Sequence, residues 1–321
     1  MLSACDVHNP KSLAMIFPGQ GSQYSGMAMD LAEHSLAARK ILERGNDLLG
    51  YELTKIMAGH QGDALNRTVH TQPAVFLHSM ALLAMLREKR ELKVVVAAGH
   101  SLGEYSALVC AGVLEFEAAL DLVRIRAKAM DEAQPPGTCG MAAVVGLSRD
   151  EVLEVVQSCR GGDILEAANF NAPDQVVVSG HSQALQRVTA ALRTKRRARV
   201  IPLPVSSAFH TSLMGPARQA LAERLADIAV HPPAFPVLSN VTAQPYPDSE
   251  EETKRLLMDQ VVRPVRWEDC MRAMVQTSAE VFAEIGPGKV LAGLLRRVEK
   301  SAQIMNVFDV SSVQGFLEAV P

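Results

Sequence analysis

Gly99-His100-Ser101-Leu102-Gly103 forms a GxSxG pattern. Glycines on both sides of a serine let a strand turn so sharply into a helix that the hydroxyl projects from the turn as a nucleophile. The flanks supply that context, with the β-branched run KVVVAAG before Ser101 and the helical pattern EYSALVC after it. The plainer reading of such a serine is a helix N-cap. The chain offers its own comparison: Gly180-His181-Ser182-Gln183-Ala184 also follows a strand but lacks the second glycine, so Ser182 reads as an N-cap.

A serine nucleophile needs a general base, usually histidine. Nine histidines are present, and spacing alone does not select His210, in PVSSAFHTSLM, from the others. Arg126 carries a sharper physical signal. If Phe116 to Ala133 is one helix, Glu117, Asp121, Arg124, Lys128 and Asp131 share one face, and Ala119, Leu122, Val123, Met130 and Ala133 the other. Arg126 falls at the centre of the apolar face. Burying a lone guanidinium costs several kcal/mol, so it is either one half of a structural ion pair or a bidentate clamp for a substrate carboxylate.

Phosphate-binding patterns are absent. Gly19-Gln20-Gly21 would need a glycine at position 24, where Tyr24 stands, and no GKS or GKT follows a glycine loop. The PGQGSQ loop instead offers backbone N–H groups of the kind that hold an oxyanion.

The elements that must position these groups are legible in outline. LAMIF, Leu13 to Phe17, reads as a buried strand entering the PGQGSQ loop. A helical pattern follows Pro73, with Val75, Phe76, Met80, Leu83 and Leu86 at helix spacing. From about Gly140 the order is strand, helix, two strands, helix, strand, the ferredoxin-like arrangement. The expected fold is therefore α/β: a large subdomain from residues 1–137 and 206–321, with a small ferredoxin-like subdomain, 138–205, inserted. The run EVFAEIGPGKV supplies one more buried strand before a final helix.

Composition bounds the partners. At 321 residues, 48% hydrophobic and 21% charged, the chain has room for a large core. With 32 basic and 35 acidic residues there is no global field for a polyanion, so no nucleic-acid partner is expected. Its five cysteines include no CxxC pair, which fits free thiols in the cytoplasm better than a disulfide framework or a metal site. The uncharged stretch from Val69 to Leu86 contains His70, Thr71, Gln72, His78 and Ser79, too polar for hydrocarbon, so no membrane partner is expected. The first twelve residues lack the pattern of an export signal. The basic run Arg193 to Arg199 is either a solvated helix end or a docking face for an acidic partner.

FPGQGSQYSGM, GHSLGEYSAL, RIRAKAM, NFNAPDQVVVSG, SSAFHTSLM, DQVVRPVRW and EIGPGKVLAGLLRR occur in this order. Together they resemble the malonyl-CoA:acyl carrier protein transacylase family, from about Leu13 to Asp309. The resemblance implies an α/β-hydrolase-like large subdomain with a ferredoxin-like small one. It also implies malonyl transfer from malonyl-CoA to the phosphopantetheine thiol of acyl carrier protein through a malonyl-serine ester, in fatty acid or polyketide synthesis, by a monomer without metal or cofactor. By motif, Ser101 corresponds to the nucleophile, His210 to its base and Arg126 to the partner of the malonate carboxylate. The amides of Gln20 and Leu102 correspond to the oxyanion hole. Gln260 matches the glutamine whose backbone carbonyl orients the histidine, making a dyad without an acidic third member. Asn169 and Asn171 fall where the family lines its cleft.

Leu102 and Phe209 accompany malonyl rather than methylmalonyl selectivity in that family, although one methyl is worth only about 1 to 3 kcal/mol of discrimination. The sequence reads GTCGMAAV where the family pattern is GTGAMAAV, placing Cys139 near the subdomain boundary. Two alternatives stand beside this reading: an acyl hydrolase that edits carrier-bound chains, and a non-catalytic protein that keeps the fold. Against a true α/β-hydrolase, whose histidine comes late in the chain, the last histidine here is His231.

Overall fold

The computed structural model describes residues 10–193, 195–205 and 207–320. Cys5 and most of the stretch considered for an export signal lie outside the described residues. Among the described residues the strands are β1 (Leu13–Phe17), β2 (Val94–Gly99), β3 (Cys139–Val145), β4 (Leu165–Ala172), β5 (Gln175–His181), β6 (Arg199–Pro202), β7 (Val237–Leu238), β8 (Val281–Ile285) and β9 (Ile304–Val307). They form two sheets, in the orders β7-β2-β1-β8-β9 and β4-β5-β3-β6.

The first sheet is parallel throughout. β1 lies at its centre and every one of its residues is buried. That is why LAMIF reads as an unbroken apolar run: a parallel strand covered on both faces has no polar side to alternate with. The loop after β1 and the turn after β2 emerge side by side at the carboxyl end of the sheet, where ligands bind in open α/β folds.

The second sheet is antiparallel, with the helices Arg149–Arg160 and Ser182–Leu192 between its strands. Its strand order is that of the expected ferredoxin-like arrangement. Alternation along β3 divides its side chains. Ala142 and Val144 join the cluster formed with Val152, Val156 and Val188 of the two helices. Met141 and Ala143 join the core of the first unit and face the cleft between the sheets. RVIPLPV is a strand only as far as Pro202, and β6 is an edge strand, where a missing N–H leaves no ladder bond broken.

Three local readings are corrected. The helix after β8, Val290–Val298, is not the final one, since β9 pairs with β8 beyond it and a further helix, Val310–Ala319, follows. The helix expected after Pro73 begins five residues earlier, at Thr68, and runs to Lys89. Proline removes only its own donor, and the turn before it is held by burial and by the Thr71 hydroxyl, which donates to the carbonyls of Leu65 and Arg67. This helix is long and apolar enough to cross a membrane, yet 83% of its apolar window is buried inside the protein. Ser182 is not a capping side chain either. It is the first residue of its helix, no helical N–H bonds to it, and its hydroxyl donates to the Gly137 carbonyl at 2.9 Å.

The helix over Phe116–Glu132 follows the sequence closely. Ala119, Leu122, Val123 and Met130 are buried, and so is Arg126, at 0% exposure.

Candidate active site

Ser101 sits between the end of β2 and the helix Gly103–Cys110 with φ at 51°, in the left-handed region. The two glycines make this turn feasible. A Cβ on Gly99 would stand 1.9 Å from the Gly103 carbonyl carbon, and one on Gly103 would stand 2.0 Å from the Phe17 carbonyl oxygen. Asn240, just beyond β7, straps the turn from outside. Its Oδ1 accepts from the Ser101 N–H at 2.7 Å, and its Nδ2 donates to the Gly99 carbonyl at 2.7 Å. The positive φ is therefore held by neighbours rather than by local preference.

His210 also has a positive φ, 59°. Its Nδ1–H donates to the Gln260 carbonyl at 2.8 Å, which leaves the Nε2 lone pair to accept from the Ser101 hydroxyl at 2.7 Å. Burial, and then the charge of Arg126, lower its pKa to about 3. The imidazole is thus neutral and able to take a proton.

Arg126 reaches the same hydroxyl. Its Nη2 donates to Ser101 Oγ at 2.9 Å and to Gln260 Oε1 at 3.0 Å, and its Nη1 to Gln72 Oε1 at 2.6 Å. Its guanidinium carbon lies 5.7 Å from the centroid of the Tyr105 ring. Among the described residues no carboxylate oxygen comes within the 4.0 Å of an ion pair. Of the two readings left open by the sequence, the structural ion pair has no partner here.

These groups line a cavity of about 230 Å³ together with Gln20, Leu102, Asn169, Asn171 and Phe209. Leu102 and Phe209 are buried, at 1% and 6% exposure, and form apolar wall beside the serine. Neither the Gln20 nor the Leu102 N–H has a hydrogen-bond partner among the described residues, as two donors reserved for a ligand oxygen would require. The Gln20 side chain is turned away, donating to Thr68 Oγ1 at 3.2 Å. Asn171 Oδ1 accepts from His100 Nε2 at 2.8 Å, and the His100 ring stands edge-on to Trp267.

All nine candidate residues gather at this one cavity or its framework. Three further residues were not singled out by sequence: Gln72, Asn240 and Glu104. Gln72 did leave a signal, as a polar residue interrupting an apolar helix, and Glu104 as an acid directly after the GxSxG turn. Cys139 is buried at the start of β3, opposite His181, and nothing in the structure explains its presence there. In the basic run, Arg193, Lys195, Arg196, Arg197 and Arg199 are all exposed, with Arg197 paired to Glu151.

A serine on a strained strand-to-helix turn, bonded to a neutral histidine and flanked by two free amides, defines the class: an enzyme of serine-dependent acyl transfer. Comparison with known proteins agrees, since residues 14–313 match the acyl transferase domain family. The malonyl CoA-acyl carrier protein transacylase of Haemophilus influenzae is 41% identical over 309 residues, 96% of this chain and 99% of that one. Its Escherichia coli counterpart is 37% identical over 305 residues, 95% and 98% of the two chains. Among solved structures, the transacylase of Coxiella burnetii superposes with a TM-score of 0.93 at 34% identity, covering 97% of this chain and 98% of that one. A malonyl-transacylase solved in complex with a type II PKS acyl-carrier protein superposes with a TM-score of 0.92 at 38% identity, covering 96% and 99%. The chain belongs to the malonyl-CoA:acyl carrier protein transacylase family.

Proposed function

We propose that the protein transfers malonyl from malonyl-CoA to the phosphopantetheine thiol of acyl carrier protein by way of an ester on Ser101. The observation that carries this reading is the convergence on one hydroxyl of His210 Nε2 at 2.7 Å and Arg126 Nη2 at 2.9 Å. The first removes a proton. The second is a buried cation one hydrogen bond from the nucleophile, which suits an acyl group carrying its own carboxylate a few bonds from the reacting carbonyl.

In the first half-reaction the Ser101 oxygen attacks the thioester carbonyl while its proton passes to His210 Nε2. The N–H groups of Gln20 and Leu102 hold the oxyanion, and the coenzyme A sulfur leaves with the proton from His210. In the second, the carrier thiol gives its proton to His210 and attacks the ester, and Ser101 departs reprotonated. Arg126 binds the malonyl carboxylate bidentately, with Gln72 and Gln260 orienting the guanidinium. Asn169, Asn171 and Phe209 shape the cleft, and Gln260 orients His210. The cavity is smaller than the roughly 300–1,000 Å³ of sites that enclose a whole drug-sized ligand, in keeping with an acyl head inside and its carrier outside.

The same proposal includes the division into 1–137 with 206–321 and 138–205, a monomeric state, and residence in the cytoplasm, where the buried free thiols Cys110, Cys139, Cys159 and Cys270 stay reduced. An editing hydrolase is disfavoured by the names of the relatives and by a buried cation that an uncharged chain would leave without a partner. The experiment is to offer malonyl-CoA with and without holo-acyl carrier protein. Malonylated carrier with little free malonate is expected; free malonate as the main product in both arms would overturn the proposal.

A further inference from the structure

Glu104 follows the second glycine of the turn and is fully buried, at 0% exposure. Its carboxylate meets only donors. Oε1 accepts from the Tyr246 hydroxyl at 2.5 Å and the Asn240 N–H at 3.1 Å, and Oε2 accepts from Gln260 Nε2 at 2.5 Å. The second hydrogen on Gln260 Nε2 goes to the Ser101 carbonyl at 2.7 Å. With both amide hydrogens committed, Gln260 Oε1 has to face Arg126 Nη2. An amide donates on one side and accepts on the other, whereas a carboxylate only accepts. The acid at position 104, together with Arg126 and the Ser101 carbonyl, therefore fixes which way the Gln260 amide points.

We propose that Glu104 is a positioning residue for acyl transfer, which acts through the Gln260 amide to present an acceptor to Arg126 and a donor to the main chain of the Ser101 turn. The inference rests on the reading of Arg126 as a carboxylate clamp. Glu104 touches neither the Ser101 hydroxyl nor the cavity. It couples the two because one amide, gripped at its nitrogen, bridges the nucleophile's backbone and the guanidinium. The buried acid also belongs to the electrostatics of the site: burial pushes its pKa up to about 7, against the pull of Tyr246, Gln260, Asn240 and Arg126.

Glu104→Gln discriminates this role from mere packing, since it changes almost no volume. The Asn240 N–H is a backbone donor that cannot turn away, so the introduced amide must keep its oxygen there and aim its NH₂ at Gln260. Gln260 Nε2 then meets a donor where it had an acceptor. The Gln260 amide either gives up that bond or turns over, which would set its NH₂ against Arg126 and its oxygen against the Ser101 carbonyl, and in both cases its hold on the two is loosened.

The test measures single-turnover acylation of Ser101 by malonyl-CoA and by acetyl-CoA in the wild type, Glu104→Gln, Gln260→Ala and the double variant. Glu104→Gln is expected to slow malonylation roughly 10- to 100-fold, the scale of a small misplacement of reacting groups, and to lower the malonyl-to-acetyl ratio. In the Gln260→Ala background the same substitution should change neither quantity more than about twofold. An unchanged ratio in Glu104→Gln, or losses that multiply in the double variant, would overturn the proposal. If Glu104→Gln does not fold, Glu104→Asp, which keeps the charge but draws it back from Gln260, takes its place in the same cycle with the same two outcomes. Arg126→Ala separates the proposal from its foundation. If that variant keeps the ratio, the clamp and the role of Glu104 fall together; if it collapses the ratio while Glu104→Gln does not, only the role of Glu104 falls.

Discussion

Arg126 Nη2 stands 2.9 Å from Ser101 Oγ, and no carboxylate among the described residues pairs with it. The guanidinium is held by amide oxygens of Gln72 and Gln260, which orient it without neutralising it. Arg126→Ala is therefore expected to weaken malonyl transfer by about 2 to 5 kcal/mol, the scale for removing one partner of a desolvated charge pair. Acetyl transfer should lose far less. Steady-state rates with the two thioesters check this, and equal losses in a folded variant would make Arg126 structural.

Ser101→Ala should lower transfer by roughly 10⁴-fold or more, as for other serines acting with a base. Intact-mass measurement of the wild type mixed with malonyl-CoA should reveal a single malonyl adduct, and peptide mapping should locate it on Ser101. An adduct on Ser182, whose hydroxyl is bonded to the Gly137 carbonyl, would contradict the mechanism.

The lowered pKa of His210 has a consequence for stability. In the unfolded chain its imidazole titrates near 6.5, but burial and the charge of Arg126 bring it to about 3 in the fold. Between these values the unfolded state takes up the proton first, so stability from this group is complete above 6.5 and falls as the pH drops toward 3. The loss reaches about 2 kcal/mol at pH 5. Removing the group should remove this slope, so denaturant melts of wild type and His210→Gln should diverge less in favour of the wild type at pH 5 than at pH 7.5.

Asn240 holds the turn of Ser101 through its N–H and that of Gly99 through its carbonyl. Asn240→Ala leaves both buried groups without partners, at about 1 to 3 kcal/mol each. Asn240→Asp can still accept from Ser101 but cannot donate to Gly99, so its stability should fall between those of the wild type and the alanine variant. A melting series that ranks the three differently would show that Asn240 does not brace the turn.

Much of this site was legible in the chain because its signals are short-range. Two glycines around Ser101, the apolar run of β1, and the place of Arg126 on the buried stripe of its helix follow from steric limits and from the periods of strand and helix. Those rules act over a few residues and hold whatever lies beyond. The choice of His210 from nine histidines was of another kind. It came from resemblance, since no local pattern ties it to a serine 109 positions away.

Only the tertiary structure decided what bonds to what across those distances. The Gln72 amide ends on Arg126, 54 residues away, and the Asn240 amide on Ser101, 139 residues away. The Gln260 side chain bonds to Glu104, the Ser101 carbonyl and Arg126, whereas the family pattern had singled out only its backbone carbonyl. Each of these groups sits in an element whose own sequence reads as ordinary helix or loop. Its partner is set by which elements the sheet order and the packed core bring together, and a buried polar group must then bond to whatever donor or acceptor that packing delivers.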